Sequence, residues 1–125
     1  MLAKAKAKYI RMSARKARLV TDLVKGKTVE EANFIFESAG KRACGPIKKV
    51  VASAFANLNQ NRQEKILAKD VVISAISADD GPMFRRYRAA TMGRATPIRH
   101  RTSHVYVELD SAVQEKTVKT NKESK

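Results

Sequence analysis

The sequence predicts an α+β fold that carries a long β-hairpin arm. Three observations lead there. Strand-patterned segments stand at both ends of the globular stretch, and three helix-patterned segments lie between them. Near the end, a run of 24 residues, GPMFRRYRAATMGRATPIRHRTSH (81–104), separates two strand-like sequences but has no apolar periodicity of its own. With 125 residues, a single domain is the expected unit. Its bounds are placed at residues 1–110, with the hairpin at about 71–109 and a polar, Lys-rich, disordered tail at 111–125.

From Ala3 to Ile10 small or apolar residues alternate with Lys4, Lys6 and Lys8, the period of a half-buried strand. Ser13 is placed to cap a helix in which Ala17, Val20 and Val24 share a face, with Leu19 and Leu23 beside it. Gly26 suits the residue just past its end. Thr28 to Glu31 forms a capping-box pattern ahead of a second helix that buries Val29, Ala32, Ile35 and Phe36 and stops near Gly40. The third helix is the clearest. Ile47, Val50, Val51, Ala54, Phe55 and Leu58 make an unbroken apolar stripe. Its local start signal is Pro46 as first helical residue, with an earlier start near Lys41 as the alternative. NLNQNRQEK reads as a polar loop. DVVISAIS and HVYVEL, the latter with Val105, Val107 and Leu109 on one face, read as the two bases of one hairpin.

The formal net charge is +14, from 26 Lys and Arg against 12 Asp and Glu. Such an excess restricts partners to polyanions. Its distribution is more informative than its sum. Residues 1–18 carry seven basic side chains and residues 81–104 carry six, both without an acid, whereas residues 22–80 carry nine against eight. An evenly solvated surface would not segregate charge in this way. Arg15, Lys16 and Arg18 also crowd the start of the first helix, where the dipole disfavours cations and a bound phosphate would compensate.

The arm poses the sharpest question. Legs of about 19 residues would extend roughly 60 Å at about 3.3 Å per residue, against a radius of gyration near 12 Å for the body. An isolated two-stranded ribbon is marginal in water, and six arginines repel one another. A disordered basic loop would have the same composition. A polyanion, however, would neutralise the charge and supply contact surface together. All six cations in the arm are Arg, which binds phosphate bidentately and stacks on bases. Phe84 and Tyr87 interleave with Arg85, Arg86 and Arg88, and Gly81, Gly93, Ala89, Ala90 and Ala95 permit close backbone approach. These features favour folded RNA over duplex DNA.

Other chemistry finds little support. Cys44 has no partner for a disulfide and suits a small buried hydrophobe in a reducing compartment. His100 and His104 would stand about 13 Å apart along a strand, too far to share a metal ion. The pair Glu30-Glu31 fits a helix N-terminus, and Asp79-Asp80 a turn before Gly81-Pro82. No glycine-rich phosphate loop or nucleophile motif is present, so neither enzyme activity, a cofactor nor a small-molecule substrate is expected. MLAKAKAKY has no secretory hydrophobic stretch, and no apolar run approaches the roughly 18 residues of a membrane span. No membrane partner is expected, and a cytoplasmic location is, with an organelle as the alternative that the basic amino terminus leaves open. A DNA-binding module reading through the first helix is the rival class, and the arm has more arginine than such a reader needs.

The run DDGPMFRRYRAATMGRATPIRHRTSHVYVEL resembles the hairpin of the bacterial-type ribosomal large-subunit protein twenty-two family, whose pattern is Asp-Glu-Gly-Pro, a basic pair, Gly-Arg-Ala and Arg-Thr-Ser-His. Matching positions are Asp79, Gly81, Pro82, Arg85, Arg86, Gly93, Arg94, Ala95 and Arg101 to His104. MSARKARLVTDLVKGKTVEEA and KRACGPIKKVVASAFANLNQN are similar to its first and third helices. The resemblance spans about residues 8–109. It implies three helices packed on a three-stranded antiparallel sheet, with a protruding hairpin, and a third helix starting near Lys41. It also implies a structural protein of the large ribosomal subunit that binds large-subunit ribosomal RNA, supports assembly and contacts neighbouring ribosomal proteins. Of the basic residues, Lys8, Arg11, Arg15, Lys16, Arg18, Arg85, Arg86, Arg88, Arg94, Arg99, Arg101 and His104 become the expected RNA contacts. The tip, Met92, Gly93, Arg94 and Ala95, is expected to line the nascent-peptide tunnel near the macrolide site. Where many members have Pro-Arg-Ala, this chain has Ala89-Ala90-Thr91.

Overall fold

A computed structural model describes residues 3–60 and 65–111. In chain order the elements are β1 (Ala3–Ile10), α1 (Ala14–Val24), α2 (Val29–Ser38), α3 (Cys44–Gln60), β2 (Val71–Asp80), β3 (Phe84–Ala89), β4 (Ala95–His100) and β5 (Ser103–Ser111). An antiparallel sheet has the strand order β1-β5-β2, and β3 and β4 form a separate two-stranded ribbon. α3 packs on β1 and β5, α1 packs on β2, and α2 packs against α3. The expected architecture is therefore the one adopted.

Period-2 patterning decides which side of the sheet meets the helices. On β5, Val105, Val107 and Leu109 are fully buried, while His104, Tyr106 and Glu108 alternate with them on the more open face. On β2 the buried set is Val71, Ile73, Ile76 and Ala78, and a register shift between Ile73 and Ala75 absorbs the extra residue. β1 keeps its three lysines outward until a second irregularity between Ala7 and Ile10, where Tyr9 takes a φ of 58°. That conformation is strained for a bulky side chain. It returns Ile10 to the core side, where it packs against the buried cluster.

Local signals behave largely as their chemistry dictates. The Thr28 hydroxyl accepts from the Glu31 amide while the Glu31 carboxylate accepts from the Thr28 amide, a complete capping box. Gly26, with φ +75°, follows α1, and the chain beyond it seals the free edge of β2. The Gly26 amide donates to Ile73 O at 3.0 Å, and the Ile73 amide donates to Lys27 O at 2.9 Å. At the other edge, Asn57 donates to Lys4 O and ties α3 to β1.

Several expectations change. α3 starts at Cys44, between the two starts considered, so Pro46 sits in the first turn, where an amide has no intrahelical acceptor to lose. α3 also continues through Asn57–Gln60, which the polar composition assigned to a loop; burial of Leu58 holds that last turn in place. Ser13 has the extended backbone of a cap but makes no side-chain capping bond. Leu19 and Leu23 stay about half exposed, at 56% and 48%, because Ala14, Ala17, Val20, Thr21 and Val24 already fill the inward face of α1. The hairpin is not one continuous ladder. Pairing stops at Asp80–Ser103 and resumes at Phe84–His100. Three residues on one leg, including Pro82 without an amide hydrogen, face two on the other, and no regular register can bridge them. Beyond this joint the arm is residues 81–102, so its free length is roughly 35 Å at about 3.3 Å per residue, shorter than the whole hairpin suggests. Ser111, assigned to the tail by its polar composition, instead ends β5 opposite Val71, and the rest of the expected tail, 112–125, lies outside the described residues.

Replacing Ile47, fully buried at the start of the α3 stripe, by Ala should cost about 2–5 kcal/mol in chemical denaturation. Leu19→Ala should change stability by no more than about 0.5 kcal/mol.

Candidate nucleic-acid interface

Segments far apart in sequence bring their cations to one place. The β1–α1 connection supplies Arg11, and the first turn of α1 supplies Lys16. The α2–α3 connection supplies Lys41 and Arg42, and the end of the arm supplies Arg99, His100 and Arg101. Together with Met12, Ser13, Leu19 and Ala43 they line a cleft of about 690 Å³ that contains no acidic side chain among the described residues. Neither α1 nor α3 has an acid in its first turn. Their N-terminal partial charges therefore add to the field of the side chains. Apposed cations with no counter-charge raise the cost of the empty state, and an anion with several charged oxygens relieves it.

Arg11 links this cleft to the arm, its guanidinium carbon standing 4.7 Å from the centre of the Phe84 ring, a cation–π contact. Along the ribbon, Arg85 is directly opposite Arg99, and Arg86 and Arg88 are opposite Ile98 and Thr96. Pairing alternates faces, so Arg86 and Arg88 share one side with Phe84, while Arg85, Tyr87 and Arg99 share the other. A like-charged pair directly opposed destabilises a ribbon. Every β3 residue is exposed, and Tyr87 is 70% exposed. Both faces of the ribbon thus present guanidinium with an aromatic ring beside it. The tip turns through Met92 and Gly93, both with positive φ (58° and 69°), closed by the Arg94 amide donating to Thr91 O and the Ala90 amide donating to Arg94 O. Two successive positive φ values suit glycine and strain methionine, and Met92 is 95% exposed.

The joint between body and arm is closely packed. The Gly81 amide donates to Thr102 O at 2.9 Å, and the buried Thr102 hydroxyl donates to Pro82 O at 2.6 Å. The Tyr9 amide donates to His104 Nδ1 at 3.1 Å, and the two rings meet edge to face. A side chain at position 81 would begin 2.5 Å from Thr102 Oγ1 and 3.1 Å from His104 Cε1, so this glycine is required by close approach.

Of the residues expected from sequence to touch RNA, the cleft gathers Arg11, Lys16, Arg99 and Arg101. Arg85, Arg86, Arg88 and Arg94 stand along the arm and its tip. Lys8 and Arg15 are exposed outside the cleft lining. Arg18, with its side chain half exposed, leans along β2: it donates to Ala78 O at 3.0 Å and pairs with Asp80 at 3.4 Å, which fastens α1 to β2. His104 sits in the joint. Lys41, Arg42 and His100 line the cleft as well but were not among the residues expected from sequence. Lys41 and Arg42 lie in the near-neutral middle of the chain, and only their position between two helices, flanked by Gly40, could have marked them. The histidines have separate places, and among the described residues no group of His, Cys, Asp or Glu could hold a metal ion. Cys44 is buried and free. No helix among the described residues is long and apolar enough to cross a membrane. On the open face of the sheet, the Tyr106 hydroxyl donates to Glu108, which holds the phenol above its ordinary pKa.

The family model described as ribosomal protein L22p/L17e matches residues 5–110, which takes in the body, the cleft and the whole arm. The chain belongs to that family. Similar curated proteins carry the name large ribosomal subunit protein uL22. The one from Syntrophus aciditrophicus is 48% identical over 88% of this chain and 98% of its own length. Those from Halothermothrix orenii and Desulforamulus reducens are 45% and 46% identical, each over 86% of this chain and 93% of theirs. The chain is accordingly a ribosomal protein of the large subunit and not an enzyme.

The joint yields a direct check. Gly81→Ala should push Thr102 off the Pro82 carbonyl, costing about 1–3 kcal/mol, with NMR shifts centred on Tyr9, Thr102 and His104. Gly45→Ala, at an α-helical position with open space around the new methyl, should be neutral or stabilising by up to about 1 kcal/mol.

Proposed function

We propose that this protein binds large-subunit ribosomal RNA through the cleft and the two faces of the arm, that it supports folding of that RNA during assembly, and that the arm's tip lines the nascent-peptide tunnel. The observation that carries the reading is the meeting of Arg11, Lys16, Lys41, Arg42, Arg99 and Arg101 in one acid-free cleft, continuous with an arginine-covered ribbon. Phosphate oxygens are the counter-charge that such a surface lacks. Phe84 and Tyr87 add stacking faces for unpaired bases, which regular duplex DNA does not present. Lys8, Arg15, Arg85, Arg86, Arg88 and Arg94 extend the contact outside the cleft. Arg18 and His104 act by holding α1 and the arm in place. Neighbouring ribosomal proteins meet the faces that RNA leaves free. The domain of residues 1–110, extended by Ser111 at the end of β5, is the binding unit, and 112–125 is an appended polar segment.

Exposure of Met92 and the strained turn at Met92-Gly93 support the tunnel assignment, since these residues contribute nothing to the core. Nascent peptide would pass the Met92, Gly93, Arg94 and Ala95 surface. Ala89-Ala90-Thr91 make this tip less basic than that of many relatives.

If about six phosphates are neutralised, the log–log dependence of RNA affinity on salt should have a slope of about −4 to −5. Lys41→Ala with Arg42→Ala should flatten the slope by about 1.5 and weaken all RNAs alike. Lys48→Ala, which removes an exposed ion pair with Glu37 at 3.0 Å, should leave the slope unchanged. A slope near zero for the wild-type chain would remove the role assigned to the arginines.

For the tip, Gly93→Ala places a side chain at φ +69° and bends the turn without touching the core. Ribosomes carrying it should assemble normally but respond differently to a macrolide or to a stalling peptide. Unchanged responses in both assays would contradict the tunnel assignment.

A further inference from the structure

The cleft has a property that its charge does not explain. A row of phosphates is served by an open basic surface, yet here the cations stand around a concave space of about 690 Å³ lined also by the aliphatic groups of Met12, Leu19 and Ala43. That volume lies within the range of about 300–1,000 Å³ that encloses a ligand-sized group. Leu19 is 56% exposed although its helix has a filled inward face, so it serves the cleft and not the core. His100 supplies the one ring in the lining, with the guanidinium planes of Arg99 and Arg101 beside it in sequence. The Ser13 hydroxyl makes no capping bond to α1 and remains available as both donor and acceptor.

An apolar surface beside a ring, planar cations and a free hydroxyl, all rimmed by positive charge, matches one constituent of folded RNA. We propose that the cleft receives a single unpaired nucleotide extruded from its RNA, with the base against Leu19, Met12 and His100 and the flanking phosphates on Arg11, Lys16 and Arg42. The inference rests on the RNA-binding reading and adds to it a defined subsite. Regular helices keep their bases stacked and would bring only phosphates to the rim, leaving the aliphatic lining wet. A bulge offers its base at little cost, because that base is already unpaired. The pocket therefore selects RNA by an irregularity in its secondary structure, whereas the arm contributes affinity for phosphate in general.

The test uses the full chain and two RNA hairpins, identical except that one carries a single-nucleotide bulge occupied by 2-aminopurine. At matched salt the bulged hairpin should bind about tenfold tighter, the order of effect that burying one stacked base produces, and 2-aminopurine fluorescence should change on binding. Leu19→Ser, at an exposed position, should abolish the preference for the bulged hairpin over the unbulged one. Equal affinity of the wild-type chain for both hairpins overturns the nucleotide pocket and leaves RNA binding standing. A full preference retained by Leu19→Ser also overturns it. Binding of neither hairpin at low salt overturns the pocket and the RNA-binding reading together.

Discussion

Unrelieved positive charge is the constraint on which the rest of this structure depends. Arg85 is opposite Arg99 on a ribbon whose β3 residues are all exposed, and six cations close around a cleft without an acid. Between described side chains there are two ion pairs, Arg18–Asp80 and Lys48–Glu37, and neither draws on the arm. Such a surface is a standing cost to the free protein. A core confined to α1, α2, α3 and one face of the sheet must support it alone. The polyanion is thus part of the energetics of the arm as well as its target.

β5 is how the body carries that load. It is the central strand, paired with β1 on one side and β2 on the other, and its inward residues are fully buried. Two residues before β5 begins, the same chain is the end of the arm. Any force on the ribbon therefore enters the sheet at its best-held strand. The joint mediates the transfer. Gly81 approaches Thr102 too closely for a side chain, Thr102 binds the Pro82 carbonyl, and Tyr9 accepts a strained backbone to hydrogen-bond His104. These contacts give the arm a preferred direction before any RNA is present, which lowers the ordering cost of binding.

Much of this was legible in the sequence because it is written locally. The Ala–Lys alternation of β1, the Thr28 capping box and the Ile47–Leu58 stripe each reflect one element's own period, and each element formed, α3 with both ends shifted. What sequence reading missed depends on partners distant in the chain. α3 keeps its last turn because Leu58 is buried and Asn57 reaches Lys4. Arg18 counted as a free cation until β2 brought Asp80 beside it. Lys41 and Arg42 looked like ordinary solvated charge, and only the fold sets them across from Arg99 and Arg101. The break in the hairpin had a local signal in Gly81-Pro82, outweighed by the apparent symmetry of the flanking strands.

Amide exchange across β3 and β4, measured on the free chain and on the chain bound to large-subunit RNA, tests the central claim most directly. The account predicts fast exchange at Phe84–Ala89 and Ala95–His100 in the free protein, against strong protection in β5. On RNA, those same amides should slow by orders of magnitude while the body barely changes. If the free arm is already as protected as β5, it does not need its polyanion, and the account is contradicted.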